Sequence, residues 1–451
     1  MSGLSYNYRN KIEEVAVASL REASRNARTH SEKQVAQLAS SIQRFKFTNP
    51  ILIDDANMVV AGHGRLAAAK KLGMTTVPCL RLSGLSERDK RAYMLADNKL
   101  ALNAGWDRDI LAIEFKELSE LGFDLADCGF EVGEIEIAIG AAEQADPASS
   151  ADADDDLPTV EAKPVTKLGD VWQLGRHRLV CGNARNGDDV SLLMGGEVAD
   201  MLFTDPPYNV PIDGHVSGLG RTRHREFAEA CGEMTQEEFS SFLRETLQRA
   251  AASLRDGAIA YVCMDWRHLQ ELLGAGHAVF SELKNLCVWN KSNAGMGAFY
   301  RSQHELVLVW KNGAAPHVNT FGLGEKGRYR TNVWNYAGVN SFRAERMEEL
   351  SLHPTVKPVA MVADAIRDVT HRGAIVLDTF GGSGTTLIAA ERTGRYARLL
   401  EIDPLYCDAT VGRWERLTGK PAVLVATGNT FERTTALRTG WSSNTSRELA
   451  A

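Results

Sequence analysis

Cysteine is sparse in this sequence and is never grouped. The 451 residues include seven cysteines, with no Cys-x-x-Cys pair and no histidines at the spacing of metal ligands. A disulfide framework and a structural zinc site both need cysteines at short, regular intervals. The pattern argues against both, and no metal is expected.

Long apolar runs are also missing. No stretch approaches the ~20 apolar residues that span a bilayer, and residues 1–11 lack the apolar region of a signal peptide. We therefore expect a cytoplasmic protein without membrane contact. With 44% hydrophobic residues the chain can build real cores, and its length predicts two or more domains.

Basic residues are absent from residues 141–158, which hold six acids. The rest is nearly balanced, with 18 Lys and Arg against 19 Asp and Glu in residues 1–140 and 33 of each after residue 158. Most of the net charge of −7 thus belongs to a small, acidic segment that predicts a disordered linker. A basic, DNA-facing cleft elsewhere is not excluded. The linker separates a domain at 1–140 from one at 159–436, which a flexible tail, 437–451, follows.

A glycine-rich segment, DTFGGSGTT at residues 378–386, follows a short apolar run that predicts a buried strand. It lacks the lysine of a P-loop, and position 387 is leucine where a dinucleotide fingerprint has its third glycine. An aspartate ahead of the glycines suits a ligand with a cationic amine, because Asp378 can pair with it. Glu401 follows about 20 residues later, at the end of the next predicted strand, where an acid holds a ribose diol.

The tetrapeptide Asp205-Pro206-Pro207-Tyr208 follows a second apolar run, residues 199–203. The amine of adenine or cytosine is a poor nucleophile because its lone pair is delocalised into the ring. The Asp205 carboxylate and the Pro206 carbonyl are placed to accept its two N–H hydrogens, the prolines stiffen the turn, and Tyr208 offers a ring for stacking. Such chemistry requires the base to leave the duplex. Without other motifs, a simple β-turn would explain the tetrapeptide.

Together these two motifs resemble the amino-group DNA methyltransferases that use S-adenosyl-L-methionine, over about residues 165–433. The tetrapeptide precedes the glycine loop, which is the permuted order of the beta class. The resemblance implies an α/β, Rossmann-like methyltransferase fold and double-stranded DNA as the substrate. The cofactor-binding residues that it implies are Asp378, Phe380, Gly381, Gly382, Gly384, Thr385 and Glu401.

The same resemblance implies further cofactor contacts. In the family, the segment HPTVKP at residues 353–358 closes over the methionine end of the cofactor, which implies that Thr355 and Lys357 contact its carboxylate. Asn183 stands where the family usually has an aspartate that accepts a hydrogen bond from the cofactor adenine amine. Its neutral amide oxygen can still accept. We expect this change to be tolerated, at some cost in cofactor affinity.

Candidate DNA contacts lie mainly in two polar segments, residues 211–229 and about 313–352, the second at the family's target-recognition position. Basic side chains there can serve phosphates or guanine edges, although a solvated loop explains any single arginine equally well. The residues singled out are Arg221, Arg223, Arg301, Arg328 and Arg330.

The N-terminal domain carries Gly62-His63-Gly64-Arg65 at the start of a predicted helix, after a helix at 32–45 and a hairpin formed by 51–53 and 58–61. Over about residues 12–100 this order resembles the ParB N-terminal domain, which is related in fold to sulfiredoxin, and implies a smaller α+β domain. The loop has no reactive cysteine, so sulfiredoxin activity is rejected. A nucleotide or another anion suits the helix start; alternatively, the glycines serve backbone geometry alone.

Several alternatives for function stay open at this point. In the family, aspartate at the first tetrapeptide position goes mostly with adenine N6 and serine with cytosine N4, so Asp205 favours adenine over N4-cytosine. Methylation of an RNA base or a protein glutamine is a second alternative. A ParB-like DNA-binding adaptor with an inactive methylase half is a third, against which the intact Asp205, Tyr208, Asp378 and Glu401 argue. The ParB-like domain is expected to add DNA or partner contacts, and a homodimer is left open.

Overall fold

The computed structural model describes residues 11–23, 26–101, 105–121, 123, 125–144, 163–210, 229–291, 300–320, 330–336 and 356–439. The chain divides into two compact units, Met1–Ala145 and Asp146–Ala451. No helix in the described ranges is long and apolar enough to cross a membrane.

The N-terminal unit contains a four-stranded sheet of order β1-β4-β2-β3. The predicted hairpin is confirmed by the antiparallel pairing of β2 with β3, and the predicted first helix is α1, whose N-cap Ser31 accepts a hydrogen bond from the Gln34 amide. The elements are β1 (Ile12–Ala16), α1 (Glu32–Phe45), β2 (Ile51–Ile53), β3 (Val59–Ala61), α2 (His63–Lys71) and β4 (Thr76–Arg81).

The two glycines at the start of α2 both have geometric reasons. Gly62 is the N-cap and adopts a φ of 99°, a conformation that favours glycine. A Cβ on Gly64 would lie 2.9 Å from Leu38 and 3.0 Å from the His30 ring. Backbone geometry therefore accounts for this loop, and an anion beside Arg65 stays a prediction.

Three further helices complete the described part of the N-terminal unit, in agreement with the expectation of two or more. They are α3 (Glu87–Ala101), α4 (Arg108–Glu120) and α5 (Val132–Gln144), with a short 3-10 helix at Leu125–Cys128. Phe115, Leu125, Ile135 and Ile139 form a small separate core between α4 and α5. The sequence predicted the helices but not that they form a core of their own.

The C-terminal unit is built on a ten-stranded sheet of order β11-β9-β10-β8-β7-β12-β13-β6-β5-β14. The strands are β5 (Val171–Leu174), β6 (His177–Cys181), β7 (Ala199–Thr204), β8 (Leu254–Met264), β9 (Glu282–Asn290), β10 (His304–Lys311), β11 (Val333–Asn335), β12 (Ile375–Asp378), β13 (Tyr396–Glu401) and β14 (Val423–Leu424). The helices are α6 (Gly187–Met194), α7 (Gln236–Ala252), α8 (Leu269–Val279), α9 (Val359–Val369), α10 (Thr385–Arg392), α11 (Pro404–Thr418) and α12 (Phe431–Thr439).

Both faces of the central strands are buried. Successive residues of β7 alternate between two cores, with Met201 and Phe203 in one and Leu202 in the other. Strands covered on both faces read as continuous apolar runs, which is why residues 199–203 and 374–377 were recognisable as strands. The predicted α/β fold is confirmed.

The order of the central strands decides where a ligand can bind. β8, β7, β12, β13 and β6 are mutually parallel neighbours, and the chain runs outward from the β7–β12 pair on either side. Open α/β sheets bind ligands beyond the carboxyl ends of the strands at such a switch point. Both sequence motifs lie there, after β7 and after β12.

Two glycines of α8 give a matched test of packing. A Cβ on Gly276 would lie 2.2 Å from the Trp310 ring, whereas one on Gly274 meets nothing within 4 Å. We expect Gly276→Ala to lower the free energy of unfolding by about 1–3 kcal/mol through overpacking. Gly274→Ala, the control, should be neutral or stabilising by up to ~1 kcal/mol. Urea unfolding followed by tryptophan fluorescence measures both, and equal midpoints for the two variants would contradict this packing.

Candidate active site

Most of the residues predicted for the site line one cavity at the carboxyl edge of the sheet. Gly384 lies instead at the N-cap of α10, with a φ of 85°. Thr355, Arg221, Arg223 and Arg328 fall outside the described residues. The cavity is lined by Asn183, Asp205, Pro206, Pro207, Tyr208, Lys357, Asp378, Phe380, Gly381, Gly382, Thr385 and Glu401, among others.

Thr204 joins the ends of the two central strands. Its hydroxyl, fully buried, lies 3.1 Å from Asp378 Oδ1 and 3.2 Å from the Thr379 hydroxyl. Asp378 also accepts hydrogen bonds from the Phe380 amide at 3.0 Å and the Thr386 hydroxyl at 2.6 Å. The aspartate ahead of the glycines therefore fixes the glycine loop as well as facing the cavity.

Glu401 fastens the same loop from the next strand. Its two carboxylate oxygens accept from the amides of Gly382 at 2.7 Å and Asp403 at 2.8 Å. Gly381 donates to the Leu400 carbonyl at 2.8 Å. The end of β13 and the loop after β12 are thus held together by backbone donors, and Glu401 is aimed into the cavity.

Burial raises the pKa of both acids. The pKa of Asp378 rises to about 6 because the carboxyl is desolvated, although hydrogen bonds from Thr386, the Phe380 amide and Thr204 oppose this. Desolvation raises the pKa of Glu401 to about 7 against the hydrogen bonds from Asp403 and Gly382. Buried acids that titrate near neutrality are typical of ligand sites.

Asp205 is held from two sides. Its Oδ1 accepts a hydrogen bond from the Tyr208 hydroxyl at 2.5 Å, and its Oδ2 lies 2.5 Å from Lys357 Nζ. The Asp205 side chain is 21% exposed while that of Lys357 is 5% exposed. The carboxylate is therefore oriented by the partly buried Tyr208 and the buried Lys357 and yet is reachable from the cavity.

Lys357 makes a different contact from the one implied by resemblance. Besides Asp205, its ammonium group lies 2.9 Å from Glu305 Oε2, and Glu305 also forms an ion pair with Lys291. Lys357, which was expected to contact the cofactor carboxylate, is therefore paired with two carboxylates of the protein itself. Sequence reasoning gave no role to Glu305 or Lys291, because their meeting with Lys357 depends on the pairing of β9 with β10.

The two lysines of this cluster shift the pKa values of the two carboxylates to different extents. Burial raises the pKa of Glu305, but the ammonium groups of Lys357 and Lys291 outweigh this effect and lower the pKa to about 2. Burial raises the pKa of Asp205, and Glu305 adds to this, so that the attraction of Lys357 does not restore the ordinary value. Burial lowers the pKa of Lys357, yet Asp205 and Glu305 raise it well above its usual range. Asp205 is the higher-pKa carboxylate because it shares one lysine, whereas Glu305 has two.

Asn183 lies in the cavity beside a second acid that the sequence did not identify. Its Nδ2 lies 3.2 Å from Glu229 Oε1, and its Oδ1 accepts from the Arg185 amide at 2.8 Å. Glu229 also lines the cavity. A single-sequence reading offers no signal for Glu229, since 46 residues separate it from Asn183.

Arg330, a predicted DNA contact, pairs with carboxylates of the protein itself. Its guanidinium lies 3.2 Å from Asp368 and 3.4 Å from Asp364, both on α9, and it donates to the Tyr336 hydroxyl at 2.6 Å. Its side chain is only 15% exposed. These two carboxylates balance the charge of the guanidinium group, and the ion pairs link the β11 region to α9. Arg301 is an exposed residue.

Removing Lys357 should expose the cost of burying the two acids. We expect Lys357→Met to lower stability by about 3 kcal/mol at pH 8, because two buried carboxylates then share Lys291 alone. The folded-state pKa values of Asp205 and Glu305 would rise above the unfolded ones, so the deficit should shrink as the pH falls from 8 to 6. Thermal unfolding at both pH values measures this. Lys284→Met, which breaks the more exposed pair with Glu282, is the control, and an equal, pH-independent loss in both variants would contradict the proposed cluster.

Family models match most of the chain in consecutive segments. A ParB N-terminal domain matches residues 4–99, a ParB-methyltransferase HTH domain matches 109–168, and a DNA methylase matches 199–412. The HTH match spans α4 and α5 and runs through the predicted linker. Sequence reasoning had missed it. In the described ranges, no group of three His, Cys, Asp or Glu is placed to hold a metal ion.

Relatives are found for both units. ParB-like nuclease domain-containing protein YnaK of Escherichia coli K12 is 54% identical over 66 residues, 15% of this chain and 76% of that protein. Putative methylase YubD of the same strain is 29% identical over 201 residues, 44% of this chain and 74% of that protein. Among solved structures, PvuII DNA methyltransferase (cytosine-N4-specific) is 16% identical and has a TM-score of 0.41, covering 63% of this chain and 98% of that one. By these matches, the chain carries a DNA methylase domain of the N6-adenine/N4-cytosine family at residues 199–412, a family that uses S-adenosylmethionine, and a ParB N-terminal domain at residues 4–99 ahead of it.

Proposed function

We propose that this protein methylates the exocyclic N6 amine of adenine in double-stranded DNA, with S-adenosyl-L-methionine as the donor. The observation that carries the proposal is the Asp205–Thr204–Asp378 arrangement. Asp205 and the glycine loop lie at adjoining strand ends and line one cavity, which supports their proposed roles as acceptor for the target amine and as binding loop for the donor. Methyl transfer requires the two substrates to meet in this way, and positioning supplies much of its rate.

The charge of the cavity supports this cofactor. Among the described residues that line it, Lys357 is the only basic side chain, and it is already paired with Asp205 and Glu305. The carboxylates that line it are Asp205, Glu229, Asp378, Glu401 and Asp403. Such a surface repels a polyphosphate and favours a cation. S-adenosylmethionine supplies an activated methyl group on a positively charged sulfonium and also carries a cationic amine.

The first of two groups of proposed site residues binds the cofactor. Asp378 faces the amine of the methionine portion, Glu401 the ribose hydroxyls, and the backbone of Phe380, Gly381 and Gly382 lets the cofactor approach closely. Thr385 lines the same loop. The carboxylates of Asp378 and Glu401 act as hydrogen-bond acceptors, so both should be ionised when the cofactor is bound.

The second group, the tetrapeptide at residues 205–208, binds the target amine. Asp205 accepts one of its N–H hydrogens and the Pro206 carbonyl accepts the other, which frees the nitrogen lone pair for attack. Tyr208 orients Asp205 through its hydroxyl and presents its ring to the flipped base. Lys357 stabilises the ionised form of Asp205, which burial alone would protonate too readily.

DNA is proposed to be bound by both units. Arg221, Arg223 and Arg328, with Arg301, remain the proposed contacts of the methylase unit. The HTH match at 109–168 supports a contribution from the N-terminal unit, since such motifs place a helix in the major groove. Nucleotide binding at Arg65, a contact from Thr355 to the cofactor and a homodimer stay predictions.

Loss of the Asp205 carboxylate tests the reaction. We expect Asp205→Ala to lower the turnover number at least ~10²-fold, because an acceptor that acts on the reacting nitrogen is removed. Expression in a methylation-free bacterium with single-molecule sequencing of its DNA gives the modified base, and calorimetry gives cofactor binding. Cofactor binding should persist in the variant, which controls for folding. N4-methylcytosine from the wild-type protein would overturn the choice of adenine, and unmodified DNA would overturn the reaction.

The raised pKa values of the cofactor acids predict a pH dependence. Because the ligand hydroxyls and amine prefer ionised acceptors, cofactor affinity should rise between pH 5.5 and 7.5, through the pKa of about 6 for Asp378 and about 7 for Glu401. Binding at pH 6.5 should release protons, measurable by calorimetry in buffers of different ionisation enthalpy. Glu401→Gln should release fewer protons and bind more weakly. Equal proton release by the variant and wild type would rule out this role for Glu401.

A further inference from the structure

One end of the cavity is defined by Glu401 and Gly182. The Gly182 amide donates to the Glu401 carbonyl at 2.9 Å, so the segment after β6 lies against the end of β13. Asn183 is the next residue, and it lines the cavity. Given the proposed function, in which Glu401 meets the ribose, this is where the cofactor adenine begins.

The amide of Asn183 is oriented by its neighbours. The Arg185 amide is a donor 2.8 Å away, so the atom that faces it must be the carbonyl oxygen Oδ1. The Asn183 backbone amide is held in addition by Asp189 Oδ2 at 2.8 Å. The nitrogen Nδ2 therefore points at Glu229. An adenine amine is itself a donor and needs an acceptor. On the side that faces Glu229, Asn183 offers another donor.

Glu229 supplies a carboxylate at the same place. Among the residues that the structure describes, one hydrogen bond to this carboxylate is seen, from Asn183, and carboxylate oxygens can accept several. Its backbone precedes a well-fastened turn. Glu233 accepts from the Ala230 amide at 2.6 Å, and Asn209, directly after the tetrapeptide, accepts from the amides of Gly232 at 3.0 Å and Met234 at 3.2 Å.

We propose that Glu229 accepts a hydrogen bond from the exocyclic amine of the cofactor adenine, and that Asn183 is a positioning residue that holds it. This inference rests on the proposed function. It assigns selection of an adenine-bearing cofactor to a carboxylate carried by the segment that follows the tetrapeptide. We propose Glu229 as this acceptor in place of the Asn183 oxygen, because that oxygen faces the Arg185 amide while the Asn183 nitrogen faces Glu229.

The test compares two ligands that differ at the group in question. S-adenosylhomocysteine presents an amine at the purine 6-position, whereas S-inosylhomocysteine presents a carbonyl oxygen there. The wild-type protein should prefer the adenosyl ligand at least ~10-fold, since the partly buried Glu229 carboxylate would face a second acceptor, the carbonyl oxygen, in place of a donor. In Glu229→Gln the preference should fall towards equality, because the new amide can donate to the carbonyl.

Calorimetric titration of the full chain with both ligands gives the ratio of dissociation constants, which does not depend on the fraction of folded protein. Glu245→Gln, on α7 and paired with Arg185, is the control with the same change of charge and should keep the wild-type ratio. If the wild-type protein prefers the adenosyl ligand and Glu229→Gln keeps that preference, Glu229 does not contact the amine. If the wild-type protein binds neither ligand, the proposed function itself fails, and this inference with it.

Discussion

The ammonium group of Lys357 holds the active site together. It lies within 2.5 Å of Asp205 and 2.9 Å of Glu305, and Lys291 completes a cluster of two positive and two negative charges. A buried carboxylate without a partner costs several kcal/mol, so these groups are stable only together. Since they come from four separate places in the chain, the cluster also fixes the ends of β7, β9 and β10 relative to the start of α9.

The charge balance of the cavity separates this site from other nucleotide sites on similar sheets. Phosphate-binding loops need free backbone donors and a lysine, whereas here the donors of the glycine loop are used by Asp378 and Glu401. Apart from Lys357, the charged side chains that line the cavity are carboxylates. In the proposed function, the loop therefore serves shape and close approach, and the acids favour a cationic, hydroxyl-rich ligand.

The N-terminal unit shows how a motif can be explained without a ligand. Gly62 meets the backbone requirement of a helix start, and Gly64 leaves room for His30 and Leu38. Its helices α4 and α5 have their own small core, and the HTH match begins at α4. The proposed DNA recognition by this unit therefore rests on the HTH match rather than on the glycines.

Much of the fold was predictable from the sequence because its signals are local. The buried strands of β7 and β12 are apolar runs, the helix at Glu32–Phe45 has one apolar face, and each motif follows its strand directly. The boundaries of most such elements fell within a few residues. The positions of Asp205, Asp378 and Glu401 at strand ends were predictable for the same reason, since a strand end and its following turn are contiguous in the chain.

The partners of those residues were not predictable, because charge pairing acts through space. Lys357 was expected at the cofactor and meets Asp205, 152 residues away. Arg330 was expected at DNA and meets two aspartates of α9. By itself, the sequence determined which residues stand at the strand ends and which chemical groups they offer. Only the tertiary structure decided which charges face one another, since burial makes each charge depend on whichever opposite charge the packing brings within reach.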